Sequence, residues 1–287
     1  MLNLGHGRGQ IQIVELGGSR AGELLALRLV VLQDCGAYPS LGAFLPMMTR
    51  MMASGTYTIP KVEFGAMSLV TNTCPTVAYR GAGRPEATAA IERTIDMLAA
   101  EIGVDPAEVR RRNLVGADRF PFTTPTGTTY DSGDYGKALQ LALDAVGYDT
   151  VRSEQKRRRE SGDVHQLGIG LSTYVEVTNP LPGGEYGGVE ITSQGKAIIR
   201  AGTFSHGQGH ATSFGMIVAD RLGIDLADIE FLQGDTDEIR SGQGTVGSRS
   251  LQTAGPALRE ASAHVIDQGR ELAAQLLEAS PAEGSLP

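Results

Sequence analysis

Three times the chain sets a glycine-rich turn directly before a helical pattern, and this repetition constrains its backbone more than any other feature. The turns are Arg80-Gly81-Ala82-Gly83-Arg84, His206-Gly207-Gln208-Gly209-His210 and Gly244-Thr245-Val246-Gly247-Ser248; the helices expected after them span 86–102, 211–222 and 250–279. A first helical turn leaves N–H groups unpaired and carries partial positive charge. Glycine removes the Cβ that would keep a phosphate or a flat ring away. Each turn is therefore either an anion cradle or a tight loop with a helix cap. Glycine makes up 38 of the 287 residues, in short clusters rather than one tract, well above the ~7% average.

The remaining pattern predicts an α+β fold of antiparallel sheets with helices packed on one side. Alternation through Ile11 and Ile13, then Leu25, Leu27, Leu29 and Val31, reads as a hairpin turning at Gly17-Gly18-Ser19-Arg20. Further strands are expected at 62–70, 168–177, 188–193, 197–201 and 229–232. Ile91, Ile95, Leu98 and Ile102 share one helical face between Pro85 and Gly103. Asp105-Pro106-Ala107-Glu108 opens a second helix with a capping-box-like pair, and 118–135 reads as a surface loop. The final helix carries Leu251, Leu258, Val265, Leu272 and Leu276 near one stripe. A boundary near Ser161-Gly162-Asp163 divides the chain into subdomains 1–160 and 161–287.

A formal net charge of −8 excludes a broad electrostatic footprint for nucleic acid or anionic lipid. The basic run Lys156-Arg157-Arg158-Arg159 is flanked by Glu154 and Glu160 and reads as a solvated helix face. With only Cys35 and Cys74 the chain holds no iron–sulfur cluster or four-cysteine zinc site by itself. No apolar run suits a membrane span or a signal peptide, so a soluble cytoplasmic protein is expected. Gly242-Gln243-Gly244-Thr245-Val246-Gly247 spells G-x-G-x-x-G, but the residues from Gly234 to Ser241 separate it from the preceding strand, against a Rossmann NAD or FAD site. His206 and His210 are four apart, but the intervening glycines disfavour a helical zinc pair; Asp235, Asp237 and Glu238 read as an acidic turn. Arg80 and Arg84 could clamp an anion, or simply pair with Glu86 or Glu92.

Taken together, the segment Thr76-Val77-Ala78-Tyr79-Arg80-Gly81-Ala82-Gly83-Arg84-Pro85-Glu86-Ala87, the phrase Phe122-Thr123-Thr124-Pro125-Thr126-Gly127 leading to Tyr130-Asp131-Ser132-Gly133-Asp134-Tyr135, and Gly207-Gln208-Gly209-His210 with Gly247-Ser248-Arg249-Ser250 resemble the molybdenum hydroxylases. The closest likeness is to the large, molybdopterin-binding subunit of the xanthine dehydrogenase, aldehyde oxidase and carbon monoxide dehydrogenase family. The resemblance implies a molybdenum–molybdopterin cofactor in its cytosine dinucleotide form, with three loops distant in sequence closing around one pterin. Gly81, Ala82 and Gly83 would lie near molybdenum, and Gly207, Gln208, Gly209 and His210 would meet the pterin. Thr245, Gly247, Ser248 and Arg249 would contact the pterin or its dinucleotide tail, and Arg80 would face substrate. The implied reaction is water-derived hydroxylation of an aldehyde or N-heteroaromatic carbon, with electrons leaving through iron–sulfur and FAD subunits. Copper is not expected, because Tyr79-Arg80-Gly81-Ala82-Gly83-Arg84 stands where copper-dependent members carry Tyr-Arg-Cys-Ser-Phe-Arg. Segments that flank this region in the family, including the one bearing its general-base Glu, are not found. The expectation is an internal fragment of two partial subdomains, prone to form oligomers and inactive alone. The rival expectation is a non-catalytic binding or assembly module that retains the fold.

Overall fold

A computed structural model describes residues 4–179 and 183–278. The chain divides into two units, Met1–Glu176 and Val177–Pro287, so the observed division falls after the helix that ends at Ser161, beyond the 161–163 boundary expected from composition.

The first unit is organised by a three-stranded sheet. After the short β1 (His6–Gly7), β2 (Gln10–Gly18) and β3 (Leu24–Asp34) form the expected antiparallel hairpin. Ser19 accepts the Gly22 N–H on its carbonyl and donates its own N–H to Glu23, closing the turn. The register then breaks: Gly17 faces Ala26 and Gly18 faces Leu24, which leaves Leu25 as the bulged residue. The bulge puts Leu24 in the core and turns Leu25 outward, against the simple alternation read from sequence. A crossover through α1 (Leu45–Met51) brings β4 (Lys61–Leu69) alongside β3 in parallel. Two-residue β5 (Thr76–Val77) pairs in parallel with β1.

The expected helical face forms on α2 (Arg84–Ile102), which with α3 (Pro106–Asn113) covers the sheet. Ile91 and Ile95 join Leu24, Leu27, Tyr57, Ile59, Ala99 and Val109 in the main core, with Leu98 and Ile102 packed at its margin. Full burial of each isoleucine stabilises the unit by about 1.5–3 kcal/mol. Asp105 caps α3 by accepting the Ala107 N–H at 2.8 Å. The loop expected at the surface is instead partly internal. It carries β6 (Phe122–Thr123) paired with β7 (Thr129–Tyr130), and Thr124, Thr126, Thr128 and Tyr130 are buried. Polar side chains are tolerated there because Thr128 donates to the Met51 carbonyl at 2.7 Å and Tyr130 to that of Gly55 at 2.8 Å. Then α4 (Tyr135–Val146) and α5 (Tyr148–Ser161) follow, joined through left-handed Gly147. The basic run lies on α5, where Glu154 pairs with Arg157 and Arg158, and Lys156 with Glu160.

No strand forms at 168–177. Side chains hold this segment in place of a ladder: fully buried Arg110 donates to the Leu171 carbonyl at 2.9 Å, and Thr173 meets the Tyr57 hydroxyl at 2.6 Å. The same Arg110 binds Glu92 and Asp96, each at 2.8 Å. Burial, then the neighbouring Glu92 charge, pushes the Tyr57 hydroxyl well above its ordinary pKa, keeping it a proton donor to that carboxylate.

In the second unit β8 (Gly187–Ile191) pairs antiparallel with β9 (Ala197–Ala201). A crossover through α6 (His210–Leu222) then sets β10 (Ile229–Leu232) parallel to β9. The long α7 (Ser250–Leu277) packs with α6 over this sheet, around Ile199, Ala201, Phe214, Val218, Ala254 and Leu258. Gly187 permits the close approach, since a Cβ there would lie 3.0 Å from the α7 backbone at Ala257 and Leu258. Of the expected α7 stripe only Leu258 is buried; Leu251, Leu272 and Leu276 are exposed, and residue 279 lies outside the described residues.

The α+β class therefore stands, but both three-stranded sheets are mixed rather than purely antiparallel. A parallel neighbour needs a crossover of a dozen or more residues, and the chain supplies one before β4 and another, α6, before β10.

Candidate functional site

The first glycine turn is largely explained by its own packing. Gly81, Ala82 and Gly83 all have positive φ (105°, 36° and 86°), and a Cβ on Gly83 would come within 2.5 Å of the Thr49 amide nitrogen. Two of its N–H groups are spent inside the turn, Ala82 to the Tyr79 carbonyl at 3.0 Å and Arg84 to that of Gly81 at 3.2 Å, while Pro85 has none. Arg84 is buried and sits 3.3 Å from Glu176, not against Glu86 or Glu92. Those two carboxylates are taken by Arg8 and Arg110. Arg80 is exposed, and its carbonyl accepts from Arg8 at 2.7 Å.

The other two turns behave differently. Both belong to the second unit, and the structure locks them together. Thr203, at the end of β9, meets the Ser250 hydroxyl at 2.6 Å at the start of α7 and also the Thr245 hydroxyl. Thr245 accepts the Phe204 N–H at 3.0 Å and donates to the Phe204 carbonyl, so the 203–209 and 241–249 segments form one body. Gln233 from just beyond β10 accepts the Ser205 N–H at 2.8 Å. Gly202 and Gly242 run backbone against backbone, where a Cβ on Gly242 would lie 2.4 Å from the Gly202 carbonyl oxygen. Glu185 accepts the Gln243 N–H at 3.1 Å. Thr203, Gln233 and Glu185 carry no motif of their own, and only the adjacency of Thr203 to a strand end hinted at a role; Ser250 lies in the Gly247-Ser248-Arg249-Ser250 segment but was not singled out as a site residue.

In front of this body the glycines are unencumbered. Gly207, Gly209 and Gly244 have φ of 98°, 80° and 75°, and a Cβ on any of them would meet nothing within 4 Å. Gly209 is the N-cap of α6, so the first-turn amides of that helix begin here. Gln208 accepts the His206 N–H on its side-chain oxygen, and its side-chain nitrogen lies 3.1 Å from His210 Nε2. His210 is buried and its Nδ1 has no partner among the described residues. Burial, with a smaller contribution from His206, holds its pKa below the ordinary histidine value and so favours the neutral ring. Gly247 and Ser248 both turn left-handed, with φ of 59° and 56°, and the Gly247 carbonyl accepts from Asn179 N–H at 2.8 Å.

Arg249 lies underneath, 2% exposed. Its guanidinium donates to the carbonyls of Gly183 and Gly184 at 3.0 and 2.9 Å and to the Gln243 side chain, all neutral acceptors, and among the described residues its Nε has no partner. A buried cation supported only by dipoles is costly unless an anion compensates it. Open left-handed glycines, helix-start amides, an unpaired buried imidazole nitrogen and this guanidinium make a donor-rich surface suited to an anionic, ring-bearing ligand. Two open grooves lie elsewhere: one is bordered by Glu15, Arg28, Lys61 and Glu63, the other by Glu108, Gln140, Asp144 and Tyr148. Neither contains a predicted site residue. Among the described residues no group of three or more His, Cys, Asp or Glu is placed to hold a metal ion directly, and no helix is long and apolar enough to cross a membrane.

Comparison with known proteins gives this geometry a context. Residues 1–114 match one molybdopterin cofactor-binding domain family, and residues 141–286 match a second of the same description. The carbon monoxide dehydrogenase large chain of Hydrogenophaga pseudoflava is 39% identical over 279 residues, covering 92% of this chain and 35% of its own length. Subunit gamma of the 6-hydroxypseudooxynicotine dehydrogenase complex of Paenarthrobacter nicotinovorans is 34% identical, covering 98% and 36%. Among solved structures, quinoline 2-oxidoreductase from Pseudomonas putida 86 superposes with a TM-score of 0.89 at 30% identity, over 98% of this chain and 37% of that one. The chain thus spans about 35% of the length of the curated relatives it matches.

Proposed function

The chain belongs to the molybdopterin cofactor-binding domain family as a portion of a molybdenum hydroxylase large subunit, and from that premise we propose that its second unit holds the pterin and anionic tail of the cofactor. The carrying observation is Arg249, a buried guanidinium whose partners among the described residues are all neutral and whose Nε has none among them. A phosphate of a dinucleotide form of the cofactor, for which we propose the cytosine dinucleotide, supplies the missing charge.

In this reading Gly207, Gln208, Gly209 and His210 offer amide and side-chain donors to the pterin ring, and Thr245, Gly247, Ser248 and Arg249 meet the pterin or its tail. On the first unit Gly81, Ala82 and Gly83 are proposed as cofactor contacts. Because the Ala82 N–H is already committed to Tyr79, that turn contributes close backbone approach more than donors. Exposed Arg80 is proposed to face the substrate, where a guanidinium can orient a carbonyl or ring nitrogen and stabilise negative charge. The bound molybdenum centre supplies two-electron oxidation chemistry; the residues named here bind and orient. For the whole enzyme we propose hydroxylation of an aldehyde or N-heteroaromatic carbon with water, electrons passing to iron–sulfur and FAD subunits. Arg80 replaces no cysteine, and Gly81 stands where a copper ligand would be needed, so copper has no part in the proposal.

Purification from a host that makes the dinucleotide cofactor tests this directly. Molybdenum by mass spectrometry and cytidine monophosphate released by acid hydrolysis are expected in the wild type and lost in Arg249→Met. A wild-type protein carrying neither refutes the proposal.

A further inference from the structure

The Gln208 carboxamide is oriented by a chain of fixed hydrogen-bond polarities. The His206 main-chain N–H can only donate, and it points at the Gln208 side-chain oxygen, which also lies 3.5 Å from the Ser205 hydroxyl. The Gln208 oxygen is therefore the end held by the loop, and the amide nitrogen is the end facing His210 Nε2 at 3.1 Å. An amide nitrogen can only donate, so His210 Nε2 must present its lone pair, and the ring proton of a neutral imidazole must sit on Nδ1. The ring itself is held in place: His210 opens α6, it is buried, and its ring packs against Phe214 at 4.9 Å between centroids, with Nδ1 lacking a partner among the described residues. The second amide N–H of Gln208, on an exposed side chain, is left for a ligand.

We propose that His210 is the positioning residue for Gln208: as an Nδ1-protonated imidazole it locks the carboxamide so that the site offers an N–H donor, and selects an acceptor atom on the ligand. The reverse orientation would set the Gln208 amide nitrogen against the His206 N–H, two donors facing one another. The purpose of the arrangement rests on the cofactor reading above; the arrangement itself does not.

The test uses the 287-residue chain labelled with 15N at histidine and glutamine side chains. Two-bond 1H–15N correlation near neutral pH is expected to show the His210 proton on Nδ1. His210→Gln can place a carbonyl oxygen near the position of ring Nε2, and His210→Phe keeps a ring without the acceptor. Solvent exchange of the Gln208 amide proton that faces residue 210 should be as slow in His210→Gln as in the wild type and rise roughly fivefold to tenfold in His210→Phe, the equilibrium effect of one lost hydrogen bond. A proton on Nε2, or equal exchange in the two variants, overturns the proposal; if His210→Phe fails to fold, the tautomer decides alone. Molybdenum content of the same samples reports separately on the cofactor reading. Its absence beside an Nδ1 proton counts against that reading and upholds the His210–Gln208 arrangement.

Discussion

The Thr203 hydroxyl lies 2.6 Å from that of Ser250, 47 residues further along the chain, and so fastens the end of β9 to the first turn of α7. With half-buried Thr245 these two buried side chains form a small hydroxyl cluster that decides where two glycine turns stand. Thr203→Val keeps the shape and removes the hydrogen bonds. It should cost about 1–3 kcal/mol by leaving buried partners unsatisfied. Urea unfolding measures that cost, and amide exchange at 204–209 should rise in the native state.

Arg249→Met should show two separable effects. Losing donors to Gly183 and Gly184 destabilises the second unit by roughly 1–3 kcal/mol. Loss of the buried charge should also abolish stabilisation by pyrophosphate over chloride at matched ionic strength, read as the shift in Tm of wild type and variant. An equal shift in both would show that the guanidinium answers to no anion.

Arg110 is fully buried between Glu92 and Asp96 in the first unit. Breaking the pair with Arg110→Met should cost about 3–5 kcal/mol, since Glu92 is left as an uncompensated buried charge. Combining it with Glu92→Leu should recover much of that loss in a double-mutant cycle by denaturant unfolding.

Gly83→Ala and Gly209→Ala separate a structural glycine from one that faces open space. Both strain a left-handed residue, an effect on the order of 1–2 kcal/mol. Gly83 has in addition the α1 backbone at 2.5 Å from the new methyl, whereas Gly209 has nothing within 4 Å. Gly83→Ala should therefore lower Tm more, and Gly209→Ala should lower cofactor content more than Tm.

Asp34 is held below the ordinary carboxylate pKa first by the Gly36 N–H and then by the Thr71 hydroxyl, with burial opposing and Thr73 assisting. Because the folded-state value is depressed, the stability it contributes is present above the unfolded pKa and disappears as pH falls through the folded one. Unfolding free energy followed downward from about pH 5 should fall less steeply in Asp34→Asn than in wild type.

Local pattern alone was enough to place most elements. The face through Ile91 and Ile95 depends on residues within a few positions and forms as read. The hairpin turn closes two residues later than read, and Asp105 caps α3 while Glu108 pairs with Arg111 and Arg112 instead of completing a capping box. The helices after the first two glycine turns begin at Arg84 and His210, slightly earlier than read. The family, too, was legible, because its glycine segments are contiguous strings. Tertiary structure decided what no window of sequence contains. The bulge at Leu25 depends on the partner strand, and parallel pairing of β4 and β10 depends on where a crossover lands. Segment 168–177 lost its ladder to side-chain partners from far along the chain, Arg110 at the Leu171 carbonyl and Tyr57 at the Thr173 hydroxyl. The three glycine turns looked alike as text; they differ because one is packed against α1 and has spent two of its N–H groups internally, while two are bound through Thr203 and open in front. Hydrogen bonds and close contacts between residues tens of positions apart exist only once the chain is folded, and here they separate a turn packed against α1 from two that stand open in front.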